Sequence, residues 1–75
     1  MKKILLDITN DQCPMTFVKT KLELARLAKD DQLLILVAAG EPANNLPKSL
    51  KNDGYPVISN TKINETTYLI ITQNK

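Results

Sequence analysis

Asp11-Gln12-Cys13-Pro14-Met15-Thr16 is the stretch on which the reading of this chain turns. Before it stands Ile4-Leu5-Leu6-Asp7-Ile8, a short apolar run bounded by polar turn residues, which predicts a strand over Lys3 to Thr9. The near-continuous apolarity of Ile4-Leu5-Leu6 fits a strand with little exposed face. After it, Pro14 to Ala28 carries helical periodicity. Val18, Leu22 and Ala25 form the predicted stripe, Phe17, Leu24, Leu27 and Ala28 flank it, and Lys19, Lys21, Glu23 and Arg26 fall mostly on the other side. Cys13 thus falls at a strand-to-helix junction, with Pro14 at the first helical position, where a missing N–H costs nothing. The free N–H groups of a first turn carry the positive end of the helix dipole and stabilise an anion. A thiolate is an anion, and cysteines at helix N-termini have lowered pKa values. On this reading Cys13 is a reactive thiol and the functional centre. The competing reading is an inert, buried small hydrophobe.

Working outward, Lys29-Asp30-Asp31 ends the first helix without a glycine, and Gln32 to Ala39 is a second apolar run whose length and Ile/Val content predict a buried strand. Gly40-Glu41-Pro42 breaks it. A second helix is expected over Asn45 to Asn52, capped by Asn44 or Asn45, with Pro47 in its first turn and Leu46 and Leu50 inward. It stops at Asp53-Gly54, where glycine takes the left-handed conformation. Tyr55 to Asn60 predicts a third strand, Thr61-Lys62-Ile63-Asn64 a polar tip, and Thr66 to Thr72 a fourth strand. The order is β-α-β-α-β-β. The first three elements make a βαβ unit, which predicts parallel strands and a right-handed crossover. The fold expected is α/β, a two-layer sandwich in which two helices cover one face of a four-stranded mixed sheet, with residues 1–75 as a single domain. Cys13 and Gly40-Glu41-Pro42 then share one edge, beyond the C-terminal ends of parallel strands, where ligand-facing loops of open α/β sheets lie.

Composition removes most other chemistries. With 75 residues the chain makes one domain, and 43% hydrophobic residues are enough for a compact core. One cysteine and no histidine exclude an internal disulfide, a Cys–His dyad, a histidine base and a zinc site of the usual type, so no metal and no cofactor is expected. One unpaired cysteine suits a reducing, cytoplasmic setting. Ten basic and eight acidic residues, net charge +2, are too balanced to argue for nucleic acid. Asp7 and Asn10-Asp11 cut the first apolar run short of a signal core, and no stretch approaches the ~20 apolar residues of a membrane span.

The element order, together with Asp7 ahead of Asn10-Asp11-Gln12-Cys13-Pro14, Lys19 in the first helix and Gly40-Glu41-Pro42 after the second strand, resembles the TusA family of sulfur-carrier proteins, also called SirA-like or YedF-like. The resemblance covers nearly the whole chain. The family motif is Cys-Pro-x-Pro, and here Thr16 stands at the second proline. The resemblance implies a two-layer sandwich like the C-terminal domain of translation initiation factor three. It implies that Cys13 carries sulfur as a persulfide, taken from a donor such as a cysteine desulfurase or a rhodanese and passed to another protein. Pathways served in the family include tRNA thiolation, cofactor biosynthesis and thiosulfate use, and a sulfur-compound transporter is a further contact to expect. The protein is then a sulfurtransferase-like carrier dependent on partners rather than a stand-alone enzyme.

The residues support the same chemistry. A carrier needs a nucleophilic thiolate, access for two partners in turn, and no second thiol to discharge the persulfide by exchange. Lys19 adds positive potential near the thiol, whereas Asp11 opposes ionisation if it faces the sulfur. Thr16 either donates a hydrogen bond near the sulfur or bonds local backbone. Met15 is a docking contact or core filler. Asp11 and Gly40-Glu41-Pro42 shape a partner-docking loop, or the latter is an ordinary strand-ending turn. Lys19, Lys21, Arg26, Lys48 and Lys51 form a basic face for an acidic partner or a solvated surface. The alternative function is a binding or regulatory module of the same fold without thiol chemistry. Direct nucleic-acid binding is not expected, since three aromatics offer no stacking platform.

Overall fold

A computed structural model describes residues 2–11 and 15–74. The elements run β1 (Lys3–Asp7), α1 (Met15–Arg26), β2 (Gln32–Ala38), α2 (Glu41–Asn52), β3 (Val57–Asn64) and β4 (Thr67–Gln73). The sheet has four strands in the order β1-β2-β4-β3. As expected for a βαβ unit, β1 and β2 are parallel, with Leu5 opposite Leu34. β4 lies antiparallel between β2 and β3.

Period-2 alternation sorts the strands into two faces. Leu33, Ile35 and Val37 of β2 and Ile70 of β4 are fully buried, and they meet Leu24 and Leu27 from the first helical segment and Ala43, Leu46 and Leu50 of α2 in one core. Ile4 and Leu6 pack against that core, and Ile8 closes it beyond β1. Both helices therefore cover the same face, and the fold is the two-layer α/β sandwich expected. The other face is bare: Leu5 is 61% exposed, so β1 is an open edge strand and not the doubly covered strand its apolar run suggested.

Helix α1 buries a different face from the predicted stripe. Its buried residues are Thr16, Thr20 and Leu24, followed by Leu27 just past its end. Val18 and Leu22 lie outside at 42% and 62% exposure. Threonine enters the core here because its hydroxyl is satisfied locally: Thr20 Oγ1 donates to the Thr16 carbonyl at 2.7 Å. Asp30, at φ 71°, takes the left-handed turn after the helix in place of a glycine.

Helix α2 starts a turn earlier than expected. Gly40, at φ 100°, is its N-cap, Pro42 sits in the first turn, and Asn44 and Asn45 are inside it. Gly40-Glu41-Pro42 is thus the helix start rather than a turn outside it. Pro47, expected in the first turn, is interior. An interior proline costs about 3 kcal/mol, but Ala43, Leu46 and Leu50 form a continuous buried face across it, and burying such side chains contributes roughly 1.5–3 kcal/mol each for the larger ones. The end matches expectation: Gly54 is at φ 88°, and Tyr55 N–H donates to the Leu50 carbonyl at 2.9 Å. β3 continues through Thr61, Lys62, Ile63 and Asn64, the four residues expected to form a polar tip. Thr61 pairs with Leu69 and Lys62 with Tyr68, and the turn is Glu65-Thr66, where Asn64 Oδ1 accepts from Thr66 N–H at 2.9 Å.

The strand ends away from the β1–α1 loop are tied together by Asp31. Its carboxylate accepts Lys2 N–H at 2.9 Å and Ala28 N–H at 3.0 Å, while its own carbonyl accepts Asn74 N–H at 2.9 Å. The Lys2 hydrogen bond is the main cause that holds the Asp31 pKa below the ordinary 3.8. A lowered carboxylate pKa stabilises the fold above the unfolded value, and that contribution is lost as pH falls through the folded one. Stability against urea should therefore fall as pH drops below 3.8. Asp31→Asn should be less stable at neutral pH, since one amide oxygen replaces two acceptors, and should lose part of the acid slope. Urea midpoints measured across pH check this.

Candidate functional site

The loop after β1 is built outward from Asp7. Its Oδ1 accepts both the Thr9 N–H at 3.0 Å and the Thr9 hydroxyl at 2.8 Å, a local turn of the kind aspartate favours. The Thr9 N–H is the first cause that lowers the Asp7 pKa, so this carboxylate stays ionised at neutral pH. Asp11 N–H then donates to the Ile8 carbonyl at 3.1 Å. The spacing of Asp7 to Thr9, two residues on, is the sequence signal for this turn.

Asp11 and Lys19 come together. Lys19 Nζ lies 2.9 and 3.0 Å from the two Asp11 carboxylate oxygens. The two charges, expected to act on the thiol in opposite directions, pair with each other and pin the loop to α1. The pair is partly exposed, with side chains 44% and 23% accessible, so it contributes about 0–1 kcal/mol; its effect is to fix position. Gln12, Cys13 and Pro14 lie outside the described residues. The expectations that Cys13 is an activated thiol and that Pro14 opens the helix fall there. Their neighbours are described: Asp11 is held on one side, and α1 begins at Met15 on the other.

Met15 is 47% exposed, which settles it as a surface residue and not core filler. Thr16 is fully buried. Met15, Val18 and Leu22 share one side of α1, opposite its buried face, and make an exposed apolar stripe that starts where the Cys13 segment ends. The sequence pattern puts Val18 and Leu22 in the predicted core stripe and leaves Met15 as a docking contact or core filler.

The Gly40-Glu41-Pro42 segment does reach this edge. Thr9, Asn10 and Asp11 from the first loop, with Ala38, Ala39, Glu41 and Pro42 from the second, line an open cleft of about 580 Å³. The acidic side chains Asp11 and Glu41 line it together. The basic helical face, in contrast, is largely neutralised: Lys19 pairs with Asp11, Lys21 with Asp53 at 2.6 Å and Arg26 with Glu23 at 3.2 Å. Lys21 also lies 5.6 Å over the Phe17 ring, and its hydrogen bond to Asp53 is the main cause that raises its pKa. No helix among the described residues is long and apolar enough to cross a membrane.

A family model described as "Sulfurtransferase TusA" matches residues 4–73. The chain belongs to the TusA family. A "Putative sulfur carrier protein" of Archaeoglobus fulgidus is 35% identical over 71 residues, which cover 93% of this chain and 80% of that protein. A protein of Methanocaldococcus jannaschii with the same description is 34% identical over 58 residues, 77% of this chain and 75% of its own length. No solved structure matches. The TusA match spans β1 through β4 and includes every residue that lines the cleft.

Proposed function

We propose that this TusA-family chain is a sulfur carrier whose Cys13 holds a persulfide between two partner proteins. The observation that carries the reading is the family match across residues 4–73 of a chain with one cysteine and no histidine. The Cys13 thiolate attacks the outer sulfur of a donor persulfide. That sulfur moves to Cys13 and the donor cysteine leaves as a thiolate, with no net oxidation. The acceptor's thiolate or another nucleophile then takes the outer sulfur and returns Cys13 to a thiolate. No histidine is needed if the thiol is already ionised by its place before α1. The donor is a cysteine desulfurase or a rhodanese-type protein in a reducing cytoplasm, and the acceptor serves a route such as tRNA thiolation.

Pro14, Thr16 and Lys19 set the thiol's surroundings in this reading. Met15 and the Asp11, Gly40, Glu41 and Pro42 edge receive partners. The apolar stripe of Met15, Val18 and Leu22 supports it, since exposed apolar side chains beside a functional segment mark docking surfaces. Val18→Glu should leave the thermal midpoint nearly unchanged, because Val18 is exposed. It should slow sulfur loading from a protein donor by about tenfold or more, the effect of ~1.4 kcal/mol of lost docking energy. Loading rates from a desulfurase compared with those from a small-molecule persulfide check this; only the protein donor should be affected.

The deciding measurement is intact-protein and peptide mass spectrometry after incubation with a cysteine desulfurase and cysteine, and with a rhodanese and thiosulfate. The mass of one sulfur atom on the Cys13 peptide is the expected result. Absence of an adduct with every donor sinks the proposal.

A further inference from the structure

The bare face of the sheet has an order of its own. The alternation that buries Ile4 and Leu6 puts Lys3, Leu5 and Asp7 on the opposite face of β1. Register carries that face across the sheet. Leu5 stands opposite Leu34 and Leu34 opposite Ile71; Asp7 stands opposite Leu36 and Leu36 opposite Leu69. On β3 the face continues as Ser59, opposite Ile71, and Thr61, opposite Leu69. The result is an aliphatic field over β1, β2 and β4. Lys3, Gln32 and Gln73 lie across one end, and β3 carries a hydroxyl margin in which Ser59 Oγ lies 3.1 Å from Thr61 Oγ1. An apolar centre with a polar rim is the anatomy of a protein interface.

From this we infer that two copies of the chain associate through their open sheet faces, about a two-fold axis that crosses the strands at the Leu5–Leu34–Ile71 row. Such an axis lays each strand over its own counterpart, reversed. The aliphatic row Leu5, Leu34 and Ile71 then meets itself, Ser59 meets Ser59, and Leu36 and Leu69 fall over the side chains of Gln32 and Gln73 of the other copy. Lys3 of each copy falls over Asp7 of the other, so both charges on β1 find opposite partners twice. An axis along the strands would instead press Leu5 onto the polar margin of β3 and leave Lys3 and Asp7 unmatched. The chosen geometry also points the two β1–α1 loops in opposite directions, so both clefts stay open.

Strand spacing and rise give a face about 19 by 23 Å, roughly 400 Å² in projection on each copy. That is about half the roughly 800 Å² per partner of a standard stable interface, so the association is weak and transient, and dilution separates the copies. Sedimentation velocity over a concentration series up to about 1 mM, in a Cys13→Ser background to exclude disulfide dimers, should show a monomer–dimer equilibrium. Leu5→Lys should leave only monomer, and Lys3→Glu should weaken association at least about tenfold through two like-charge contacts. Circular dichroism verifies that each variant folds. In the same background, Leu5→Cys should be linked by a short bifunctional thiol reagent, and Val18→Cys, on the outer side of α1, should not. Monomer at every concentration overturns the proposal, as does linkage through Val18→Cys without linkage through Leu5→Cys. Neither result bears on sulfur loading, which Cys13 performs in either state.

Discussion

Cys13→Ser should abolish sulfur loading from every donor while leaving the thermal midpoint close to that of the parent chain. Serine is similar in size, so the fold loses little. The chemistry loses everything, because an alkoxide is not accessible at neutral pH and oxygen forms no persulfide analogue. There is no second cysteine to substitute. The measurement is intact mass after incubation with desulfurase and cysteine, with parent and variant side by side. Loss of the adduct with an unchanged circular dichroism spectrum assigns the chemistry to Cys13. If instead the variant retains its cellular role, the same fold acts as a binding or regulatory module, and the thiol is incidental. The pH dependence of Cys13 alkylation adds a second readout. An apparent pKa well below the free value of ~8.5 is expected for a thiol at a helix start.

Leu24→Ala should produce the largest loss of stability among single changes in the first helical segment. Leu24 is fully buried and, with Leu27, is the aliphatic anchor that seats this segment on the sheet; the other buried positions of α1 are Thr16 and Thr20. A buried Leu→Ala change costs about 2–5 kcal/mol, from lost transfer energy and the cavity left behind. Against a total of roughly 5–15 kcal/mol for a small domain, that is a large share, and the thermal midpoint should fall by on the order of 15 °C. The exposed Leu22 is the internal control. Leu22→Ala, two residues away, about 200° round the helix, and 62% exposed, should shift the midpoint only slightly. Calorimetry of the two variants tests whether the helix is phased as described. A larger loss from Leu22→Ala would mean that the apolar stripe of Val18 and Leu22 is the buried one.

That phase is where reading the sequence went wrong, for a definite reason. Hydropathy counts threonine as polar and valine or leucine as apolar. Helix α1 inverts this by burying Thr16 and Thr20, the Thr20 hydroxyl donating to the Thr16 carbonyl within the helix, and by exposing Met15, Val18 and Leu22. The strands were easier, because β-branched and aliphatic runs between turn residues have few alternatives. The parallel β1–β2 pair, the left-handed Gly54 and the non-glycine stop near Asp30 were all legible. Pro42 and Pro47 misled in the other direction. Pro42 reads as part of the strand-ending turn and Pro47 as a first-turn proline, yet Pro42 holds the first turn of α2 and the buried face of Ala43, Leu46 and Leu50 carries the helix across Pro47. At the candidate site, the shared edge of the Thr9–Asp11 and Glu41–Pro42 segments was legible from topology alone. The pairing of Lys19 with Asp11 was not. Nothing in one-dimensional spacing tells whether two opposite charges act on a third group or on each other.

Asp31 binds Lys2 through its side chain and Asn74 through its carbonyl. The first and last described residues are therefore neighbours, at the pole farthest from the cleft between the two loops. A polypeptide genetically joined to either side of this domain would leave from that pole, and the edge that bears the cleft would face away from it. The domain is thus suited to hang from a tether. Fused in tandem to a donor or an acceptor through a flexible linker, it would keep its thiol presented and raise the effective concentration of one partner toward the millimolar range. With residues 2 and 74 both bonded to Asp31, a short linker joining them is also a practical route to a circular permutant, reopened at the exposed Glu65-Thr66 turn.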